Sequence, residues 1–196
     1  MHGLQRVCVY CGSSSGNRPR FGDVAEQVGR LLARRGIGVV YGGASIGLMG
    51  RVADGALSEG GEVHGVIPGE LFADEVAHDG LTELYVVGSM HERKALMSGL
   101  ADAFVALPGG FGTIEEVIEA VTWTQLGIHH KSVGLLDVDG YFDHLIAFLD
   151  RAVEDGLLRP QSRALLCHDD DPERLLDRLA GPGPELAFGP DTAPAP

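Results

Sequence analysis

Short runs of consecutive apolar residues alternate along the chain with longer segments in which apolar residues recur every three to four positions. The short runs are typical of strands buried on both faces, and the longer segments are typical of amphipathic helices. Strands are therefore predicted at residues 6–11, 37–41, 62–67, 81–87, 103–107, 132–137 and 163–167. Helices are predicted at residues 19–35, 45–60, 89–101, 112–126, 140–155 and 172–180, with a loop at 68–80.

The alternation of strands and helices indicates how these elements assemble. Successive βαβ units build a parallel sheet with helices on both faces. We therefore predict an α/β fold, a Rossmann-like doubly wound parallel sheet, in a single domain of residues 1–180. The remaining segment, residues 181–196, holds five of the ten prolines and is predicted to be a disordered tail.

Composition and charge narrow the classes of function. The chain has 196 residues and a net charge of −13, whereas a nucleic-acid-binding protein needs a basic surface. No apolar run reaches the roughly 20 residues of a membrane-spanning helix, and the start of the chain does not resemble a signal peptide. We expect a cytoplasmic protein with neither a nucleic-acid nor a membrane partner.

The cysteines and histidines do not suggest a metal site. Cys8 and Cys11 lie three residues apart in a predicted strand, where buried thiols are favoured over metal ligands. His129 and His130 follow a predicted helix end, where positive charge is favoured. No histidine pair has the spacing of a helical zinc motif, so no metal is expected.

Glycine is the unusual component, because it supplies 29 of the 196 residues, about twice its usual share of about 7%. Many of these glycines lie in three turns that follow predicted strands, at residues 11–16, 42–50 and 108–116. A helix start presents unpaired N–H groups, and glycines let an anion approach them closely. The third turn fits an anion site best, at residues 110–113 with the Thr113 hydroxyl. The alternative is that the glycines only make tight turns.

Two familiar nucleotide motifs are absent from these turns. Gly42 and Gly47 have the spacing of a P-loop, but Leu48 follows where that loop needs lysine, which disfavours phosphoryl transfer. The third turn approaches a dinucleotide fingerprint, with Glu115 in place of its last glycine. Asp137, at the end of the next strand, is then a candidate ribose-binding acid, so dinucleotide binding stays open as an alternative.

Two charged residues are the candidates for chemistry. Glu116 and Thr113 have the spacing of a helix capping box, yet Glu116 also falls outside the apolar stripe of its helix, so that it faces solvent or a cleft. Arg93 falls in the middle of the apolar arc of helix 89–101, with Lys94 at the edge of that arc. A charge there either reaches the edge of the core, pairs with a carboxylate, or awaits a polar ligand.

Two motifs resemble those of a known family. Residues 108–116, PGGFGTIEE, match the pattern PGGxGTxxE, and residues 89–94, SMHERK, contain the pattern M-H-x-R-K. The chain resembles the Lonely Guy (LOG) family of cytokinin riboside 5′-monophosphate phosphoribohydrolases from about residue 7 to residue 180. The stretches CGSS at 11–14, residues 41–50 and TWTQLGIH at 122–129 belong to the same resemblance.

The resemblance implies a Rossmann-like homodimer that hydrolyses the N-glycosidic bond of N6-modified adenosine 5′-monophosphates, and often of AMP. The products are the free base and ribose 5-phosphate, and neither cofactor nor metal is required. It implies Arg93 and Glu116 as catalytic residues. The substrate-binding residues that we predict with it are Gly12, Ser13, Glu75, Met90, Lys94, Gly109, Gly110, Phe111, Gly112, Thr113, Ile114, Glu115 and Thr122.

The sequence departs from the family pattern at two positions and leaves other functions open. Ala44 replaces a glycine, and Ser89 replaces an acid, which affects base preference. One alternative is a nucleotide sensor without turnover, and another is a small NAD-dependent dehydrogenase. Family members have often been labelled lysine decarboxylases, but pyridoxal phosphate needs a Schiff-base lysine. Only Lys94, inside the nucleotide motif, and Lys131, in a polar turn, are available.

Overall fold

A computed structural model describes residues 3–69 and 77–183. Seven strands form one sheet in the order β4-β3-β2-β1-β5-β6-β7, and every neighbouring pair is parallel. The strands are β1 Arg6–Tyr10, β2 Gly38–Tyr41, β3 Val63–Pro68, β4 Glu83–Val87, β5 Ala103–Ala106, β6 Ser132–Leu136 and β7 Leu166–Asp169. This is the doubly wound α/β fold that the alternating pattern predicts.

Helices cover both faces of the sheet. They are α1 Pro19–Arg34, α2 Gly47–Ser58, α3 Met90–Leu100, α4 Phe111–Gln125, α5 Asp143–Glu154, α6 Pro160–Arg163 and α7 Pro172–Leu179. The core on one face contains side chains of α1, α2 and α7, and the core on the other contains side chains of α3, α4 and α5.

The inner strands β1, β2, β3, β5 and β6 are buried on both faces because their side chains alternate between these two cores, whereas the edge strands β4 and β7 are partly exposed. On β1, Val7 and Val9 belong to the first core, whereas Cys8 and Tyr10 belong to the second. Cys8 and Cys11 are both buried and unpaired, which confirms the prediction of buried thiols.

The connections diverge at the centre of the sheet. From β1 the chain moves outward through β2 and β3 to β4, and α3 then returns it to β5 on the other side of β1. The loops after β1 and β5 therefore face each other, and the Gly12 N–H joins them by donating to the Pro108 carbonyl oxygen at 3.0 Å. In sheets of this kind, ligands bind at such a switch point.

The caps predicted for two helices are wrong, although both helices start within two residues of their predicted positions. Helix α2 has Ile46, not Ser45, at its N-cap. Helix α4 begins at Phe111 with Gly110 as its N-cap, so Thr113 and Glu116 form no capping box. The strand β5 and the helix α4 are only four residues apart, so the glycine turn itself must make the reversal.

The segment from residue 129 to residue 169 differs from prediction in three places. Residues 160–163 form α6, started by Pro160, and the last strand is therefore displaced to Leu166–Asp169. Helix α5 starts at Asp143, after a 3-10 turn at Val138–Gly140. His129 is not positively charged near neutral pH, because burial and the nearby charge of Lys131 lower its pKa to about 4.

Some predictions concern residues outside the described part of the chain. These are Glu75, which belongs to the predicted loop 68–80, and most of the predicted tail, residues 184–196. In residues 3–69 and 77–183, no helix combines the length and the apolar character needed to cross a membrane.

Candidate active site

The third glycine turn places the open end of α4 beside the β1 loop. The first N–H groups of a helix lack intrahelical partners, and Gly110 provides no side chain to cap them. Gly109 lies so close to its neighbours that a Cβ atom would overlap the Thr113 Oγ1 atom and approach the Gly12 nitrogen to 2.9 Å. The turn therefore packs directly on the β1 loop, with its helix dipole and N–H groups available to an anion.

The Arg93 side chain is held at the carboxyl ends of β2 and β3. It is only 6% exposed. Its Nε atom donates to the Val66 carbonyl oxygen at 3.0 Å, and its Nη2 atom donates to the Gly42 carbonyl oxygen at 2.8 Å. Of the three predicted environments for this charge, which were the edge of the core, a carboxylate partner and a polar ligand, the structure therefore excludes the first. The guanidinium is instead fixed over the strand ends.

Glu116 and Arg93 line the same cavity, of about 320 Å³, although they belong to different helices. Glu116 is half-buried one turn along α4 from the helix start. The cavity brings together nine of the predicted site residues, which are Gly12, Ser13, Met90, Arg93, Gly110, Phe111, Gly112, Thr113 and Glu116. Cys11 and Met49 also line it, although no sequence pattern singled them out as site residues.

The charges around the cavity act on the two thiols beneath it. Burial raises the pKa of the Cys8 thiol, and the negative charge of Glu116 adds to that effect, while Arg93 opposes it. Burial and Glu116 also raise the pKa of Cys11. Both cysteines are therefore protonated near neutral pH, and neither has the thiolate character of a nucleophile.

Lys94 and Glu115 contact each other and do not line the cavity. The Lys94 Nζ atom donates to Glu115 and lies 3.1 Å from a carboxylate oxygen of Glu119. Burial lowers the Lys94 pKa, but these two carboxylates outweigh it and leave the pKa raised. This pair of contacts ties α3 to α4.

Three other predicted binding residues lie elsewhere. Ile114 packs against the core, and the Thr122 hydroxyl is exposed and donates to the Ile118 carbonyl oxygen at 2.7 Å. Gly109 lines an adjoining cavity of about 370 Å³ that shares Gly12, Ser13 and Gly110 with the first.

The adjoining cavity contains side chains that were not predicted from the sequence. Phe21 and Tyr141 form part of its wall, and the Tyr141 Oη atom donates to the Gly109 carbonyl oxygen at 2.6 Å. No local pattern singles out Tyr141, because its contact with Gly109 joins two different βαβ units and depends on how they pack.

One alternative from the sequence, a dinucleotide site with Asp137 as its ribose-binding acid, gains no geometric support. Asp137 Oδ1 accepts the Phe142 N–H at 2.7 Å, so this candidate ribose-binding acid is used within its own turn. In the described ranges, no group of three or more histidine, cysteine, aspartate or glutamate side chains is placed to hold a metal ion.

Together, the switch-point cavity, the open start of α4 and the Arg93–Glu116 juxtaposition define a class of protein. It is a doubly wound α/β protein with an uncapped helix start at a glycine turn and a charged, partly buried cavity suited to acid–base chemistry. A family model described as "Possible lysine decarboxylase" matches residues 49–179 of this chain.

Curated relatives identify the family. "Probable cytokinin riboside 5′-monophosphate phosphoribohydrolase LOGL9" of Oryza sativa subsp. japonica is 53% identical over 176 residues, covering 90% of this chain and 78% of that protein. "Cytokinin riboside 5′-monophosphate phosphoribohydrolase LOG7" of Arabidopsis thaliana is 46% identical over 183 residues, covering 93% of this chain and 84% of that protein. The chain belongs to the LOG family.

Solved structures with the same architecture include proteins of another function. The molybdenum cofactor binding protein from Rippkaea orientalis has a TM-score of 0.69 at 24% identity, covering 91% of this chain and 96% of that one. The molybdenum cofactor carrier protein of Chlamydomonas reinhardtii has a TM-score of 0.68 at 22% identity, covering 88% and 94%. At these identities the similarity concerns the fold alone.

Proposed function

We propose that this protein hydrolyses the N-glycosidic bond of N6-modified adenosine 5′-monophosphates, and of AMP, to the free base and ribose 5-phosphate. The observation that carries the proposal is the cavity in which Arg93 and Glu116 meet beside the open start of α4. The names of the curated relatives, which are cytokinin riboside 5′-monophosphate phosphoribohydrolases, support the same substrate class.

The substrate phosphate docks on the turn at residues 109–113. Unpaired N–H groups and the helix dipole stabilise its negative charge there. Thr113 is packed against Gly109 and lines the cavity, so its hydroxyl lies next to those N–H groups. Docking the phosphate at this point holds the ribose over Glu116, one helical turn further along.

Cleavage breaks the bond between the anomeric carbon and the base nitrogen. The transition state is oxocarbenium-like, as in other glycoside hydrolyses. Glu116 stabilises the developing positive charge on the sugar and orients the water, whose oxygen bonds to the anomeric carbon. Arg93, fixed by two backbone carbonyls, positions the nucleotide and stabilises the departing base, which receives the proton from water.

A lysine decarboxylase, the activity in the description of the matching family model, fits these residues poorly. Pyridoxal phosphate chemistry needs a lysine that forms a Schiff base. Lys94 is engaged by Glu115 and Glu119. Lys131 precedes β6 and donates to the Ser98 carbonyl oxygen, so it lies at the amino end of the sheet, opposite the cavity.

The proposal is tested by measuring free base released from AMP and from N6-isopentenyl-AMP by chromatography. We expect release by the wild-type protein and a decrease of at least about 10²-fold in Glu116→Gln, the scale seen when a charge-stabilising group is removed. Glu154→Gln is the matched control, because its carboxylate lies at the C-terminal end of α5, away from the cavity. It should keep wild-type activity.

Other outcomes distinguish the alternatives. Near-wild-type turnover by a folded Glu116→Gln protein would contradict the catalytic assignment. Nucleotide binding without base release from either substrate would favour the sensor. Tight NAD binding without base release would favour the dehydrogenase. The ratio of the two release rates gives the preference for the N6 substituent.

Further features of the molecule belong to the same proposal. We propose a homodimer, because α3, α4 and α5 expose large apolar side chains on one face, including Phe111, 97% exposed, and Phe148, 67% exposed.

Three unpaired cysteines support a reducing compartment such as the cytoplasm. We also propose that residues 1–180 form the catalytic domain and that residues 181–196 form a tail outside it.

A further inference from the structure

Tyr141 contacts the turn at residues 109–113 from outside the cavity that holds Arg93 and Glu116. Its hydroxyl donates to the Gly109 carbonyl oxygen at 2.6 Å across 32 residues of sequence. The ring lines the adjoining cavity and does not line the cavity of Arg93 and Glu116. The hydroxyl contacts the Gly109 backbone, so the contact acts on the turn itself.

The connection between β6 and α5 is built to deliver this side chain. Asp139 has a φ of 53°, a left-handed conformation that costs a non-glycine residue energy and persists only where the surroundings impose it. The next anchor is Phe142, which is 1% exposed and donates its N–H to Asp137 Oδ1 at 2.7 Å. The Phe21 ring packs edge-on against Tyr141, with centroids 5.4 Å apart.

The hydroxyl controls the orientation of one peptide group. In a trans peptide the carbonyl and the following N–H point in opposite directions, and the described chain contains no cis peptide bond. Because Tyr141 holds the Gly109 carbonyl on its own side, the Gly110 N–H points away from Tyr141. Gly110 is the N-cap of α4 and lines the cavity of Arg93 and Glu116. Glycines on both sides of this peptide leave it easy to rotate without such a hold.

We propose that Tyr141 is a positioning residue that sets the Gly109–Gly110 peptide for the 5′-phosphate of the substrate. This inference rests on the proposed function only in taking the phosphate as part of a nucleotide. A hydrogen bond that orients a phosphate-binding N–H affects affinity for every phosphate-bearing ligand of the site. It has little effect on cleavage once the ligand is bound.

The test is Tyr141→Phe, which removes the hydroxyl and keeps the ring against Phe21. Binding of ribose 5-phosphate is measured by calorimetry, and kcat and KM are measured with AMP. We expect Kd for ribose 5-phosphate and KM for AMP to rise about tenfold, the loss of one hydrogen bond, with kcat within about twofold. The control is Tyr85→Phe, which removes a hydroxyl bonded to Glu83 on the edge strand β4 and should change none of these values.

Three results would overturn the inference. The first is a Tyr141→Phe protein that binds ribose 5-phosphate within twofold of wild type. The second is a loss of kcat and thermal stability with Kd unchanged, which a merely structural role would give. The third is a wild-type protein that does not bind ribose 5-phosphate. If instead Tyr141→Phe weakens that binding while wild type releases no base, the inference stands and the proposed function fails.

Discussion

At the scale of single residues, the site depends on an unusual environment for Arg93. A cation that is 6% exposed would be costly without partners. Backbone carbonyls of Val66 and Gly42 supply two of them. The second contact is close because Gly42 has no side chain, and a Cβ atom there would overlap Arg93 Nη2 and approach the Met49 sulfur to 2.8 Å.

Gly42→Ala should therefore displace the Arg93 guanidinium. We expect kcat/KM for base release to fall about 10²-fold, since a displacement of about 1 Å has that effect on catalysis. Stability should fall by about 1–3 kcal/mol, as for other overpacked sites. Activity is measured with AMP, and stability by urea denaturation.

The matched control is Gly99→Ala, on the exposed side of α3 with no atom within 4 Å of a new Cβ. It should keep full activity and gain about 0.5–1 kcal/mol of stability through reduced backbone freedom. A Gly42→Ala protein as active as Gly99→Ala would show that the position of the guanidinium is unimportant.

At the scale of elements, the site requires α3 and α4 to keep a fixed relative position. Lys94 and Glu115 meet between these helices. Lys94 directly follows Arg93, and Glu115 directly precedes Glu116, so each is next to a candidate catalytic residue. The ion pair therefore joins the two helices next to the residues that line the cavity. The Lys94 side chain is 9% exposed, whereas Glu115 is about half exposed, so solvent reduces the strength of their attraction.

Lys94→Met should leave Glu115 and Glu119 without their cation and loosen the two helices. We expect the free energy of unfolding at pH 7 to fall by about 1–3 kcal/mol, less than the loss for a fully buried pair. The Lys94 pKa is raised, so its stabilising contribution is complete below the ordinary value of 10.5 and is lost only as the pH rises through the raised value.

Arg151→Met is the comparison for this change, because it breaks the exposed i,i+4 pair with Asp155. Such pairs contribute about 0.3–0.5 kcal/mol. Equal losses in the two variants, measured by urea denaturation, would argue against a fixed α3–α4 contact.

At the scale of the whole molecule, the two faces of the sheet differ. Helix α5 has no fully buried residue, and Leu126, Ile128 and Phe148 are each more than 60% exposed. All three belong to, or directly follow, helices that cover the same sheet face. A surface of this kind is typical of an interface between chains.

Phe148→Asp should therefore separate the proposed homodimer. Light scattering is expected to give about twice the chain mass of 20.7 kDa for the wild-type protein and the single-chain mass for the variant, because a desolvated carboxylate opposes association. Gln27→Asp, on the exposed side of α1 over the opposite sheet face, should leave the mass unchanged. A monomeric wild-type protein would contradict the homodimer.

The sequence alone determined the order and type of most elements and the fold class, and it singled out the glycine turn at residues 108–116. These follow from local physics, because apolar periodicity indicates which faces are buried. In addition, glycine widens and proline restricts the backbone conformations at their own positions. The capping box predicted at Thr113 and Glu116 is not observed, because only four residues separate β5 from α4 and the helix begins before Thr113.

Only the tertiary structure decided which distant groups meet. Arg93 takes its carbonyl partners from 27 and 51 residues earlier in the chain, and Tyr141 contacts a carbonyl 32 residues earlier. Lys94, which the sequence placed at the edge of a helix face, is bound there to Glu115 of α4. These contacts depend on strand order and on the packing of helices across the sheet, neither of which is encoded in the spacing of residues within one segment.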